Sequence, residues 1–358
     1  MTTFLSRRRF LGLGGAGAAT LALAACGTSA AGGGPIGTGT QSVPSALRYA
    51  VIGDGRVGIP AALQAKLGGL DLESALGGVK VTWQPGFTAS LPVMEALKAG
   101  EIDFTFATAT AVIYGVGGKV PLVPLATFPL PGNEVDILVP KGSPITGAAD
   151  LRGRRIADQQ GTTGTYSLIK YLQTAGLTLR DVQYQNLAAA DAEAAFANGS
   201  VDAWISWQPQ IELAKRRHDA VALPGVRTYD YAYFITSEDF AESHLDTAVK
   251  AVRVVRDTQR WINANPDAAV RAFAAAGGFG NDQLTKDVYR DLIVAQRNSE
   301  SLAGSQLGPV ADAAAAGTQE LADNFHSLGV YPQQIAVRDW LADSRFDHVK
   351  KAVSDVLA

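Results

Sequence analysis

The sequence predicts an α/β protein of two lobes, each a mostly parallel sheet flanked by helices. From residue 46 onward, short apolar runs alternate with segments of helical periodicity, an order that favours a parallel sheet. One pattern also occurs twice: 96–103 and 195–202 both read Ala, large apolar, two free positions, Gly, polar, β-branched, Asp. The copies start 99 residues apart, about the length of one small α/β lobe. We therefore expect two similar lobes with a ligand cleft between them.

The elements of the first lobe follow from apolar strands and from helices with recognisable ends. Ser90 is a typical capping residue in front of a helical segment, and Gly100 is a typical helix stop. The predicted strands are 47–52, 79–83, 102–106 and 120–126, and the predicted helices are 59–67 and 91–99.

The second lobe repeats this alternation, and a helical region follows it. Leu168, Ile169, Leu172 and Ala175 fall on one face of a predicted helix. The predicted strands are 135–139, 182–187 and 229–236, with a further strand after each of 150–153 and 195–202. The predicted C-terminal helices are 246–265, 266–276, 282–297 and 310–328, and Trp340 lies in a last helical stretch.

This order predicts a discontinuous arrangement of the lobes. Lobe one takes 46–134 plus 237–358, and lobe two takes 140–228. The segments 135–139 and 229–236 would then cross between the lobes, and such paired crossings make a natural hinge.

The N-terminus predicts export and a lipid anchor. Arginines at 7–9 precede Phe10 and Leu11 in the twin-arginine pattern, and the apolar stretch after them is too short to span a bilayer. The residues 23–26 resemble a lipobox, which predicts a signal peptide over 1–25 and lipidation of Cys26 by acyl chains such as palmitate. The Gly- and Ser-rich residues 26–45 favour a flexible tether on the outer face of the cytoplasmic membrane.

Composition excludes several classes of function. The chain has 31 basic and 34 acidic residues, and loss of the three arginines of 1–25 takes the net charge from −3 to −6, which argues against a nucleic-acid partner. The single cysteine excludes internal disulfides and thiolate metal cages. The four histidines lack metal-site spacing, and no nucleophile elbow or phosphate-binding loop occurs. We therefore predict no catalytic residue, no metal and no cofactor.

Ligand candidates come from the carboxyl ends of the strands, where open α/β sheets bind their ligands. Gly161, Thr162, Thr163 and Gly164 precede a helix, where backbone N–H groups and hydroxyls suit an anion. The threonines could instead only cap that helix. The other candidates are Gly53, Asp54, Arg56, Thr108, Ala109, Thr110 and Trp207.

The alternatives for these candidates are structural. Arg56 could pair with an anion or be solvated, and Trp207 could wall the ligand or belong to the core, as Trp204 could. Asp103 and Asp202 are expected to be structural parts of the repeated corner.

Several segments together resemble the aliphatic-sulfonate, taurine and nitrate substrate-binding proteins of ABC importers. They are 137–145, 149–157, 189–196, 201–209, 264–267 and 328–332, within a similarity that spans about 46–345. The resemblance implies a type II periplasmic-binding-protein fold, a small anionic organic ligand, a permease with its ATPase as partners, and a monomer. Family members often carry an acid where this chain has Thr110 and an Asp where it has Gln208, which weakens a taurine assignment.

The sequence thus predicts an extracytoplasmic solute-binding lipoprotein that captures a sulfonate-like anion and is not an enzyme. Binding of nitrate or of a thiamine-pyrimidine precursor remains open. So do a ligand-sensing module and an enzyme of thiamine-pyrimidine synthesis, which shares the fold but relies on cysteine-rich chemistry in the cytoplasm.

Overall fold

The structure is a computed structural model, and it describes residues 34–299, 301–304 and 306–358. The predicted signal peptide, Cys26 and the first part of the predicted tether lie outside these residues. None of the described helices is long and apolar enough to cross a membrane.

The described chain alternates strands and helices and then continues as helices. The strands are β1 (Ala46–Ile52), β2 (Lys80–Phe87), β3 (Phe104–Thr108), β4 (Leu122–Pro129), β5 (Val135–Pro140), β6 (Arg155–Asp158), β7 (Gln183–Asn186), β8 (Ala203–Trp207), β9 (Ala220–Ala222) and β10 (Tyr231–Ser237). The helices of the alternating part are α1 (Gly58–Gln64), α2 (Leu72–Ala75), α3 (Ser90–Lys98), α4 (Ala109–Gly117), α5 (Thr163–Gln173), α6 (Ala189–Ala197) and α7 (Gln210–Arg217). The C-terminal helices are α8 (Glu238–Ala264), α9 (Pro266–Gly277), α10 (Gln283–Gln296), α11 (Asp312–Ser327), α12 (Val337–Leu341) and α13 (Asp347–Leu357).

The strands form two five-stranded sheets of equivalent topology. Sheet one has the order β2-β1-β3-β10-β4, and sheet two has the order β7-β6-β8-β5-β9. In each sheet the first three strands run parallel, and only the fourth, β10 or β5, pairs antiparallel with both neighbours. Helices cover both faces of each sheet. The prediction of two mostly parallel, helix-flanked lobes is confirmed.

The repeated sequence pattern forms the same corner in both lobes. The carboxylate of Asp103 accepts from the Arg48 backbone N–H at 2.7 Å and from its Nη2 at 2.5 Å. Asp202 accepts in the same way from the N–H and Nη2 of Arg155, at 2.9 and 2.7 Å. Arg48 lies in β1 and Arg155 begins β6, the second strands of their sheets, and each aspartate directly precedes the neighbouring central strand, β3 or β8. The two aspartates therefore anchor one strand to the next, in line with the structural interpretation of the repeat.

The hinge crossings differ from the sequence prediction. The segments 135–139 and 229–236 were expected to cross between lobes, but β5 pairs only within sheet two and β10 only within sheet one. The chain passes between the sheets through the short connections 130–134 and 223–230. Both strands are apolar and buried, because each is an inner strand of its own sheet.

The predicted tether of 26–45 is also shorter than expected. Ile36 is 1% exposed and packs in the core of lobe one, with its N–H bonded to the carbonyl of Arg345 at 2.9 Å. Gln41 accepts from the Leu245 N–H at 2.7 Å. Composition alone missed this, because one buried isoleucine and one glutamine suffice to dock a Gly- and Ser-rich segment.

Candidate functional site

Six helices begin at the carboxyl ends of parallel strands, and these ends face each other across one cavity. In lobe one, α1, α3 and α4 follow β1, β2 and β3; in lobe two, α5, α6 and α7 follow β6, β7 and β8. Residues at the start of all six helices line the cavity. Because each helix start carries partial positive charge and unpaired N–H groups, this arrangement favours an anion.

The cavity has a volume of about 1150 Å³ and a lining of both polar and apolar groups. Polar atoms of the helix starts contribute part of the lining. Apolar and aromatic side chains contribute the rest; the main ones are Tyr49, Phe106, Phe234, Phe279, Tyr289 and Leu302. The described lining residues include no Lys, Arg or His, so helix starts and neutral donors, rather than cationic side chains, provide the attraction for an anion.

Most of the predicted ligand residues meet in this cavity. Those that line it are Gly53, Asp54, Thr108, Thr110, Gly161, Thr162, Thr163 and Trp207. Three lie elsewhere: Arg56 is exposed and outside the lining, Ala109 is fully buried, and a Cβ on Gly164 would lie 2.8 Å from the Ile205 side chain. Gly164 thus serves close packing of α5 on the sheet.

Trp204 and Trp207 lie in different environments, because residues three positions apart on a strand point to opposite faces of the sheet. Trp204 is 1% exposed and packs against Phe196 in the core of lobe two, with ring centroids 5.7 Å apart. Trp207 is half-buried and lines the cavity.

The start of α5 is less open than the sequence suggested. Thr162 and Thr165 form a reciprocal capping box, and Thr165 Oγ1 accepts from the N–H of Gly161 at 3.0 Å. Thr162 Oγ1 accepts from the N–H of Gly164 at 3.2 Å. Several donors that were expected to meet a ligand are therefore already used within the helix start.

The starts of α3, α4 and α6 are more open to a ligand. The residues that precede these helices are Ala89, Thr108 and Ala188. None of their side chains makes a capping hydrogen bond to its helix. The hydroxyls of Thr108 and Thr110 lie 2.7 Å apart and add donors beside α4. These three helix starts can offer N–H donors to an anion, as can α1 and α7, which also lack a side-chain cap; at α4 the first N–H, that of Ala109, already donates to Asp230.

The buried carboxyl of Asp230 accepts hydrogen bonds from the starts of α5 and α4. Asp230 is 4% exposed and accepts from Thr163 Oγ1 at 2.6 Å and from the Tyr231 N–H at 2.7 Å. Burial raises its pKa to about 7, against the opposing effect of these hydrogen bonds. Burial likewise raises the pKa of Asp158 to about 7, where the carboxyl accepts from Thr165 and Tyr184.

The lining residues that sequence reasoning missed include one acid and several glutamines. Glu134 lies on the connection between lobes, and burial raises its pKa to about 8. The Oε1 atoms of Gln159 and Gln210 are buried without a hydrogen-bond partner among the described residues, and both side chains line the cavity. The location of Glu134 at a lobe crossing was the available signal.

The two lobes contact each other at two places. Arg217 of α7 pairs with Asp282 at 2.8 Å, and Arg216 with Asp291 of α10 at 2.7 Å. The ring of Tyr166 of α5 packs edge-on against Phe325 of α11, with ring centroids 5.4 Å apart. No cluster of three or more His, Cys, Asp or Glu suited to a metal occurs in the described part of the chain.

Comparison with known proteins identifies the family. Residues 76–269, more than half of the chain, match the family described as NMT1/THI5 like, and the chain belongs to this family. It is 34% identical over 174 residues to an aliphatic sulfonates-binding protein of Escherichia coli (strain K12), a match that covers 49% of this chain and 53% of that relative. It is 27% identical over 283 residues to an aliphatic sulfonates-binding protein of Bacillus subtilis (strain 168), covering 78% of this chain and 80% of the relative.

Solved structures agree with this assignment. The periplasmic aliphatic sulphonate binding protein SsuA from Escherichia coli superposes with a TM-score of 0.70 at 25% identity, covering 82% of this chain and 91% of that chain. The resemblance inferred from sequence is confirmed. The desulfurization enzyme DszB, bound to biphenyl-2-sulfinic acid, shares the fold at 16% identity and a TM-score of 0.59, with 85% of this chain and 98% of that chain covered. The two relatives above are named as binding proteins, whereas the fold itself also carries an enzyme.

Proposed function

We propose that this member of the NMT1/THI5-like family is an extracytoplasmic solute-binding lipoprotein that captures a sulfonate-like organic anion for an ABC importer. The observation that supports this proposal best is that helix starts from both lobes line one cavity, among whose described lining residues there is no Lys, Arg or His. A sulfonate spreads one negative charge over three oxygens, which suits several separate N–H donors better than one point charge.

The names of the relatives support the ligand class, and the cavity supports an organic tail. A volume of about 1150 Å³ exceeds what nitrate needs by far, and the apolar lining residues offer burial to an alkyl or aryl group. The open starts of α3, α4 and α6 would bind the anionic group, and Trp207 and Phe106 would contact the tail.

Capture requires that the ligand bind the closed form better than the open one. A ligand held by helix starts of both lobes meets this requirement, because opening the hinge would remove the donors of one lobe. The closed form, with the contacts of α7 to α10 formed, is then the form that docks on the permease.

A thermal-shift screen of the full-length chain tests the ligand class. Alkanesulfonates, taurine, nitrate and thiamine-pyrimidine precursors are compared at equal concentration. A ligand at a hundredfold excess over its Kd should stabilise the chain by about 2.7 kcal/mol. Stabilisation by nitrate or a pyrimidine alone, with none by any sulfonate, would overturn the assignment.

The lipid anchor has its own test, because Cys26 is the only cysteine. The change Cys26→Ser should move the protein from the membrane fraction to the soluble extracytoplasmic fraction without changing ligand affinity. A Cys26→Ser protein that stays in the membrane fraction as the unaltered chain does would contradict lipidation at this residue.

A further inference from the structure

The long helix α8 is broken near its start, and the segment before β1 fills the break. The backbone leaves the helical conformation at His244 (φ −141°, ψ 29°), and such a break leaves N–H and carbonyl groups without partners inside the helix. Gln41 supplies two of these partners: its Oε1 accepts from the Leu245 N–H at 2.7 Å, and its Nε2 donates to the Glu242 carbonyl at 2.9 Å. The N–H of Ser42 donates to the next carbonyl of the helix at 2.8 Å. The segment before β1 thus completes the hydrogen bonding of α8.

Residues 36–42, which we call the strap, fit closely against lobe one. Ile36 is buried in its core. Gly37 has a left-handed conformation (φ 73°), and a Cβ on it would lie 2.5 Å from Leu245 Cδ2. A Cβ on Gly39 would instead have open space within 4 Å. The docked strap therefore requires glycine at position 37 and tolerates a side chain at position 39.

The strap docks at the pole of lobe one that lies away from the cavity. The carboxyl end of β3 faces the cavity, and β10 runs antiparallel to β3, so β10 ends at Ser237 on the opposite edge of the sheet. The break in α8 follows within about two turns of that end. Gln259, which lines the cavity, comes 14 residues after Leu245 on the same helix, a distance of about 21 Å.

The position of the strap limits how an anchored protein can stand on a membrane. From Cys26 to Ile36 the chain has ten residue steps and spans at most about 35 Å, whereas from Cys26 to Ala46 it has twenty and could span about 70 Å without docking. A folded body of 36–358 has a radius of gyration of about 20 Å, which corresponds to a sphere about 50 Å across. The docked chain is too short to let the pole of lobe one point away from the bilayer, and an undocked chain would be long enough.

We propose that the strap holds the pole of lobe one at the lipid surface, so that this pole faces the membrane and the opposite pole, in lobe two, lies farther out. This inference rests on the lipid anchor of the proposed function. The exposed residues at this pole include the acids Glu242 and Asp246, so the short connection to the anchor, rather than attraction to anionic lipids, holds the pole in place.

Two thiol labels report the distance of each pole from the bilayer. Cys26 is the only cysteine and is acylated in the anchored protein, so an introduced cysteine is the free thiol that takes a fluorescent donor. Asp246→Cys marks the pole of lobe one. Lys141→Cys marks the pole of lobe two, because β5 starts beside the cavity-lining Trp207 and runs away from the cavity to Pro140.

The acylated full-length protein is reconstituted in phosphatidylcholine vesicles that carry an acceptor-labelled lipid. Energy transfer from position 246 should exceed transfer from position 141 at least about twofold, because the heights of the two labels differ by up to one body diameter. Gly37→Val should release the strap, and transfer from the two positions should become similar. Gly39→Val is the matched control: it adds the same side chain in open space and should keep the difference.

Hydrogen exchange without membranes measures the release of the strap itself. The amide of Leu245 should exchange faster in Gly37→Val than in Gly39→Val, since it loses the Gln41 acceptor. Sulfonate affinity should be the same in both variants, because no strap residue is among the described residues that line the cavity.

The outcomes separate this inference from the proposed function. Equal transfer from both labels with the strap unaltered, or stronger transfer from position 141, would overturn the orientation while the anchor and sulfonate capture stand. A difference that persists in Gly37→Val, although its Leu245 amide exchanges fast, would show that the strap does not set the orientation. Slow exchange of this amide in Gly37→Val would overturn the docking argued from Gly37. Absence of the protein from the membrane fraction would overturn the lipid anchor, and this inference with it.

Discussion

A carboxylate placed before α6 should stabilise the fold and weaken anion binding at the same time. Ala188 precedes this helix in an extended conformation (φ −62°, ψ 153°), has no capping side chain, is exposed and lines the cavity. Aspartate is a favoured residue at such positions because its carboxylate accepts from the first-turn N–H groups. Ala188→Asp should therefore raise the free energy of unfolding by about 1 kcal/mol.

The size of the cavity sets the expected loss of affinity. A sphere of about 1150 Å³ has a radius of about 6.5 Å, and an anion bound at the start of α6 lies no farther than this from a carboxylate at position 188, so 6.5 Å gives the smallest expected repulsion. At an effective dielectric constant of about 20, two negative charges at this distance repel by about 2.5 kcal/mol. Affinity for an alkanesulfonate should fall roughly 70-fold.

Isothermal titration and urea unfolding of the same protein measure the two effects. Ala188→Asn is the control, because it caps the helix without a charge and should cost no more than a few-fold in affinity. Undiminished sulfonate binding by a stabilised Ala188→Asp protein would refute the claim that the start of α6 faces the bound anion. An equal loss in Ala188→Asn would mean that the cap, rather than the charge, competes with the ligand.

Two further predictions concern stability. Burial raises the pKa values of Glu134, Asp158 and Asp230, so the folded state binds more protons than the unfolded chain between about pH 4 and 8. The Tm of the ligand-free protein should therefore fall as pH rises from 5 to 8. A Tm that rises over this range would contradict these shifts. Asp103→Ala should destabilise the protein by about 2–4 kcal/mol, and Asp202→Ala by less, because the Asp103 side chain is 7% exposed and that of Asp202 is 28% exposed. Urea unfolding measures the free energy of unfolding of both variants. An equal loss in the two, or a larger loss in Asp202→Ala, would contradict the prediction.

The fold was predictable because its signals are local and repeated. The alternation of elements and the twin corners specify two lobes, and the carboxyl ends of the strands point to the site. The connections were misplaced because β5 and β10 look in sequence like any buried strand, whereas their partners are set by long-range pairing. The docking of 36–41 escaped prediction for the same reason, since its partners Leu245 and Arg345 lie more than 200 residues away in the sequence.

The chemistry of the site was only partly predictable from the sequence. Helix starts can be read from Gly, Ser and Thr patterns, but whether a threonine caps its own helix or faces a ligand depends on side-chain rotation. Thr162 and Thr165 use their hydroxyls within α5, whereas Thr108 and Thr110 pair beside the cavity. Glu134 belongs to no motif, and its place in the cavity lining depends on where the chain passes from one lobe to the other.

The two lobes have the same topology, and this determines which helix starts line the cavity. The residues at equivalent helix starts differ between the lobes, and these differences determine which N–H groups are available to a ligand. The helices α1 and α5 hold equivalent places, yet only α5 has a capping box and a contact through Thr163 to the buried Asp230. Part of the hydrogen-bonding capacity at the start of α5 is thus already used within the protein. The uncapped pair α3 and α6, also equivalent by topology, lies on opposite lobes. An anion between these two helices binds both lobes at once, and this placement makes hinge closure depend on the ligand.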